Sequence, residues 1–149
     1  MKPITVSTTV AKPREEVFEY LDLLANHEQY LGHMYLHWTF TGPAHGVGAK
    51  ARARVSAPGS REFAEFVVLE SERPQRIVEE TISSNGKRRT RGTYRLDPLP
   101  HGGTQVTLEL AWVEVPRSER IFPPLSRRFL ARALGKGMRR LRKQLEAQH

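Results

Sequence analysis

From Ser126 to His149 the chain reads as one long amphipathic helix, and that helix constrains what the rest of the molecule must supply. At 100° per residue, Leu130, Leu134, Gly137, Met138, Leu141 and Leu145 fall in one narrow arc, opposite Arg128, Arg132, Lys136, Arg139, Arg142 and Lys143. An apolar stripe of that length has to be buried against another element. Between about Arg61 and Phe122 the chain reads as strands and turns, so the partner is a sheet. A lone long helix across a strongly curved sheet encloses space, and such space can hold a small molecule.

Charge is concentrated in the same segment. Residues 117–149 hold ten Lys or Arg against Glu119 and Glu146, and the remaining 14 basic and 14 acidic residues cancel, so the whole net charge of +8 resides there. A basic balance of this kind points to nucleic acid or to an anionic membrane surface, which Arg128, Arg132, Arg139 and Lys143 could contact. No zinc-finger spacing, aromatic RNA-binding strand or Gly-rich phosphate loop supports a specific nucleic-acid partner. A solvated helix back is the expected role.

The chain has 149 residues, 38% of them hydrophobic, enough for one domain over 1–149 that buries a core without metal or disulfide staples. It has no cysteine, which excludes disulfides and thiolate chemistry and suits a reducing compartment. The start MKPITVSTTV lacks a continuous apolar run, and no stretch approaches the roughly 18 apolar residues of a membrane span. A soluble, cytoplasmic protein is expected, monomeric or homodimeric.

Ile4, Val6, Thr8 and Val10 alternate with other residues to give a first strand. Pro13 followed by Glu15 and Glu16 suits a helix start, with Val17, Phe18, Tyr20, Leu21 and Leu24 on its buried side. Asn26 and Gln29 resemble a capping box for a second short helix ending near Leu31. Gly and Pro then punctuate six strands, at about 33–41, 47–56, 61–71, 75–83, 88–97 and 103–115. Asn85-Gly86 is the strongest hairpin signal.

Faces can be assigned from alternation. Lys50, Arg52 and Arg54 belong outside, and Ala49, Ala51 and Ala53 inside. Val106, Leu108, Leu110 and Trp112 share one face of the last strand. In the second strand Leu36, Trp38 and Phe40 oppose Tyr35 and His37, and the apolar set is expected inside. Small alanines beside large aromatics suit a cavity, expected to be lined by Trp38, Ala51, Ala53, Phe66, Tyr94, Leu108, Trp112, Leu134, Gly137 and Met138. Gly137 is the motivating residue: a glycine in the apolar stripe leaves space over the sheet, so enlarging it should alter ligand capacity more than stability.

The order of strand, two short helices, six-strand meander and long terminal helix resembles the helix-grip fold of the START-like, or SRPBCC, superfamily with its polyketide cyclase/dehydrase-like members. The resemblance runs from Ile4 to Glu146. It is carried by Ile4-Thr5-Val6 with Pro13-Arg14-Glu15-Glu16-Val17-Phe18, Gly46-Val47-Gly48, Arg76-Ile77-Val78, Gly92-Thr93-Tyr94-Arg95-Leu96, and Gly103-Thr104-Gln105-Val106-Thr107. It implies an α+β fold, a curved antiparallel seven-stranded sheet wrapped around the C-terminal helix, and a cavity for lipids, polyketides or other apolar molecules. A minority of such proteins carry out cyclisation or dehydration.

Many cyclase-like relatives place a bulky aromatic where this chain has Glu79. Pairing around Asn85-Gly86 gives partners whose numbers sum to 171, setting Ile77 opposite Tyr94, Glu79 opposite Gly92 and Glu80 opposite Arg91. Glu79 then points inward beside Tyr94, while Arg89, Arg91 and Arg95 lie outside with Glu80. The same register makes Arg76 and Arg95 an outward like-charge pair and leaves Val78 and Ile82 exposed.

An inward carboxylate can hydrogen-bond a ligand, hold a proton or pair with a cation, and a salt-bridged Glu at the rim is the alternative. His27, His33, His37, His45, His101 and His149 show no metal-ligand spacing, no serine sits in a nucleophile motif, and no cofactor is expected. Three readings follow. The favoured one is binding or carriage of a small hydrophobic molecule. The second is a cyclase or dehydratase with Glu79 and Tyr94, and His37 beside them, as acid and base. The third is a membrane- or protein-interaction module using the basic helix.

Overall fold

Alternation of apolar and polar residues becomes seven strands: β1 (Ile4–Val10), β2 (Tyr35–Thr41), β3 (Lys50–Val55), β4 (Phe63–Glu72), β5 (Arg76–Ser83), β6 (Arg88–Pro98) and β7 (Thr104–Glu114). Among the described residues three α-helices accompany them, α1 (Arg14–Asp22), α2 (His27–Leu31) and α3 (Pro124–Glu146), with single 3-10 turns at Leu24–Asn26 and Pro100–Gly102. This computed structural model describes residues 2–83, 86–117 and 124–147. Asn85 of the expected hairpin turn, Glu119 and Arg120 of the basic segment, and His149 at the expected helix end lie outside the described residues.

The strands form one antiparallel sheet in the order β1-β7-β6-β5-β4-β3-β2, so the first strand pairs with the last. Residues 2, 4 and 6 of a strand share a face, and β3 follows this rule closely: Ala49, Ala51 and Ala53 are buried while Lys50 and Arg52 are exposed. The β5–β6 register matches the expected one at every pair from Arg76–Arg95 to Thr81–Thr90. Gly86, with φ 87°, takes the left-handed conformation such a hairpin requires.

Two expectations about this hairpin change. The like-charge pair of Arg76 and Arg95 is relieved by the neighbouring strand, because Arg76 bonds Glu70 at 3.2 Å and Glu72 at 3.0 Å. Val78 is buried, between its ladder partners Glu70 and Thr93, where exposure was expected. Glu80 lies outside with Arg91 at 3.3 Å and Arg89 at 3.6 Å.

The alternation read for β2 fails at a bulge between Leu36 and Thr39, where His37 adopts φ 55°. One extra residue turns Tyr35 and Trp38 onto the same inner side, both packed against the core, and leaves Leu36 43% exposed. His37 is exposed too, away from Glu79 and Tyr94.

Helix α1 starts after Pro13, whose carbonyl accepts from the Glu16 and Val17 amides, and it lays Val17, Phe18 and Leu21 against the core beside β6. The expected capping box at α2 does not form. Asn26 is already in helical conformation, at φ −69° and ψ −16°, so it cannot act as the half-in residue of a cap. Its side chain donates instead to the Tyr20 carbonyl, and Gln29 accepts from the Tyr20 hydroxyl at 2.7 Å, tying α1 to α2. Helix α3 buries Leu134, Met138, Leu141 and Leu145 and packs across β1 and against α2. No helix among the described residues is long and apolar enough to cross a membrane.

Candidate functional site

Cross-strand register decides which inward side chains share a row. One row crosses the sheet as Phe40, Ala51, Phe66, Thr81, Thr90 and Trp112. The next runs Val68, Glu79, Gly92, Leu110 and Ile4, and a third Ile77, Tyr94, Leu108 and Val6. The first row carries an aromatic wall: Trp38 stacks on Phe66 with centroids 5.2 Å apart and on Phe40 at 6.0 Å, while Tyr35 meets Phe66 edge-on at 5.1 Å.

Beside that wall the second and third rows bury polar groups. Helix α2 presents His27 and Tyr30, three positions apart and so on one helix face, to Glu79 of β5 and Tyr94 of β6. His27 Nε2 lies 2.6 Å from Glu79 Oε2, and the Tyr30 and Tyr94 hydroxyls are 2.9 Å apart. His27 and Tyr30 are fully buried and Glu79 is 5% exposed. The His27 ring sits 5.1 Å from that of Tyr30 and 6.0 Å from that of Tyr94, so the four residues form one cluster.

Burial pushes the Tyr30 and Tyr94 phenols well above their ordinary range, and the nearby Glu79 charge pushes each further. Both hydroxyls therefore keep their hydrogens at neutral pH. His27 Nδ1 is buried with no hydrogen-bond partner among the described residues. These groups can bind and orient a polar atom.

Space over the sheet lies elsewhere than the sequence suggests. A Cβ on Gly137 would come within 3.1 Å of Leu31 Cδ2 and 3.4 Å of the Tyr30 carbonyl oxygen, so this glycine admits α2 against α3 and opens no cavity. A Cβ on Gly92, directly opposite Glu79, would meet only Leu108 Cδ1, at 3.5 Å. The inner face of β6 beside Glu79 therefore has room for at least a methyl group. At the end of the sheet beyond Trp112, a depression of about 920 Å³ opens between Gly86 and Lys87 on one side and Val113 to Arg117 on the other.

Of the residues the sequence singles out, Trp38, Ala51, Ala53 and Phe66 lie on the aromatic side, and Glu79, Tyr94 and Leu108 in the polar rows. Trp112 ends the first row, and Leu134 and Met138 bury on the helix side. His27 and Tyr30 escaped the sequence reading. The one signal they carry is the spacing of three in His27-Glu28-Gln29-Tyr30, within a helix of only five residues. Among the described residues no group of three His, Asp or Glu could hold a metal ion.

A family model described as polyketide cyclase / dehydrase and lipid transport matches residues 1–146. None of the curated proteins matches. Solved structures do: a conserved protein from Geobacillus kaustophilus is 14% identical with a TM-score of 0.78, over 99% of this chain and 97% of that one. A protein from Chromobacterium violaceum is 16% identical with a TM-score of 0.73, over 98% and 99%. Ara h 8.0201 is 7% identical with a TM-score of 0.72, over 98% of each chain. At such identities the likeness establishes the fold alone.

Proposed function

The chain belongs to the polyketide cyclase/dehydrase and lipid transport family, and from that premise we propose that it binds or carries a small hydrophobic molecule, in the cytoplasm, between the inner face of the sheet and α3. The observation that carries this reading is the missing side chain at Gly92, opposite Glu79 and Leu110, where a Cβ would meet a single atom within 4 Å, on the same inner face as the wall of Trp38, Phe40 and Phe66. Apolar walls with a few placed polar groups are what a small-molecule site requires. Glu79, His27, Tyr30 and Tyr94 then serve as the polar end of the site, and Trp38, Ala51, Ala53, Phe66, Leu108 and Trp112 as its apolar lining. Leu134 and Met138 close it from the helix side, whereas Gly137 has a packing role.

Extraction of the purified protein into organic solvent, followed by mass spectrometry, tests the proposal. An apolar molecule in stoichiometric amount is the expected result. An empty extract, together with no quenching of Trp38 or Trp112 fluorescence by any naphthalene-sized probe, sinks it.

One observation favours a second reading, a cyclase or dehydratase. The 2.6 Å contact between His27 and Glu79 joins two side chains of the kinds that serve as general acid and base, next to the phenol of Tyr94. Glu79→Gln separates the readings: an enzyme loses turnover while still binding, and a carrier changes only in affinity or ligand preference.

A further inference from the structure

We propose that the buried cluster recognises a carbonyl oxygen on an otherwise apolar ligand, with His27 and the Tyr30–Tyr94 pair as its two hydrogen-bond donors. The inference rests on the interior-binding reading and names the ligand class that reading leaves open.

The argument is a count of hydrogens. His27 and Glu79 are almost completely removed from water, and a buried pair with net charge is expensive. Two arrangements leave the pair neutral: an imidazolium facing a carboxylate, and an imidazole facing a carboxylic acid. In the first both ring nitrogens carry hydrogen. In the second the acid O–H occupies the Nε2 lone pair, so the ring hydrogen must sit on Nδ1. In both of these Nδ1 is a donor, whereas the charged pair, a neutral imidazole donating from Nε2 to the carboxylate, would make it an acceptor; it has no partner among the described residues.

The phenols repeat the pattern. Two hydroxyls bring two hydrogens, and their mutual bond uses one. The second meets no acceptor among the described residues. The cluster thus holds two buried donor hydrogens that no hydrogen bond among the described residues takes up, which a folded core tolerates poorly.

The ligand group that answers this surplus accepts twice and donates nothing. A carbonyl oxygen has two lone pairs and no hydrogen. A hydroxyl would bring a third donor in need of an acceptor, and a carboxylate would add charge beside Glu79. Ketones, quinones and esters fit; alcohols and fatty acids do not.

A matched probe pair tests this with the unmodified protein. 2-Acetylnaphthalene and 2-ethylnaphthalene share size and shape and differ by C=O against CH2, and binding is read from quenching of Trp38 and Trp112. The ketone is expected to bind at least about tenfold more tightly, which corresponds to about 1.4 kcal/mol. In the double variant Tyr30→Phe/Tyr94→Phe, which removes the phenol donor altogether, the preference should narrow to about two- or threefold.

Imidazole nitrogen NMR supplies the second readout, in which the His27 Nδ1–H resonance should be present and move when the ketone is added. Equal affinity for both probes, or an Nδ1 without hydrogen, overturns the carbonyl proposal and leaves interior binding standing. Failure of both probes to bind overturns the two together.

Discussion

His27 Nε2 and Glu79 Oε2 meet at 2.6 Å inside the core, joining α2 to β5 across 52 positions of sequence. The contact exists because the β5–β6 register turns Glu79 inward opposite Gly92, where no side chain competes for the space. The bond is therefore both a fastening between helix and sheet and the polar end of the candidate site.

Breaking that bond from the histidine side leaves a carboxylate buried without a partner. His27→Phe is expected to destabilise the fold by about 3–5 kcal/mol. The double variant His27→Phe/Glu79→Leu should recover most of the loss, because an apolar pair of similar volume removes the uncompensated charge. Urea unfolding followed by circular dichroism measures both. A double variant no more stable than the single one would mean that the charge was never the cost.

Much of this was legible beforehand, and the reasons differ by element. The hairpin register could be read because one turn signal and strict alternation fix every pair once a single pair is known. The α3 stripe could be read because 23 residues average out local exceptions. The faces of β2 could not, since a bulge at His37 adds one residue and reverses everything on one side of it. His27 and Tyr30 could not be placed in the site because α2 has only five residues, too few for periodicity to reveal a face, and its partners lie more than fifty positions away. Gly137 misled for a related reason: a missing side chain signals close approach as readily as empty space, and only the position of Leu31 decides between them.

That decision makes Gly137 a stability position. Gly137→Leu should cost at least about 1–3 kcal/mol by overpacking the α2–α3 contact. It should also displace His27 and Tyr30 with α2, so that ligand binding weakens together with stability. Urea unfolding and probe binding on the same sample check this. Unchanged stability with reduced ligand capacity would restore the reading of Gly137 as cavity lining.

All four tyrosines are held above their ordinary pKa of 10.0 with burial as the main cause, Tyr20 and Tyr35 to about 12 and Tyr30 and Tyr94 well above the usual range. The folded state therefore binds protons that the unfolded state releases. The resulting stability is fully present below pH 10 and falls as pH rises from 10 towards the folded values, the slope being negative because the unfolded chain holds fewer protons. Tyrosinate ultraviolet absorbance should stay silent through pH 10 and then appear in one step with loss of circular dichroism. A gradual phenolate signal centred near 10 in the folded protein would show a tyrosine in contact with water.

The basic back of α3 should behave as solvated surface. Three of its cations have work within the fold: Arg127 donates to the Lys2 and Pro3 carbonyls, Arg140 to the Gln29 carbonyl, and Arg142 pairs with Glu146. Arg128, Arg132, Lys136, Arg139 and Lys143 are exposed without a carboxylate partner among the described residues, spread over an arc of about 80° and a length of about 22 Å. At about 1 kcal/mol per cation near an anionic membrane, the five together supply about 5 kcal/mol. That corresponds to a dissociation constant of roughly 0.2 mM, too weak to anchor the protein. Co-sedimentation with phosphatidylglycerol vesicles should accordingly be marginal at about 50 mM salt and absent at about 200 mM, and duplex DNA should behave likewise. Micromolar binding to either, lost when Arg132, Lys136 and Arg139 are replaced by Gln, would make this face an interaction surface.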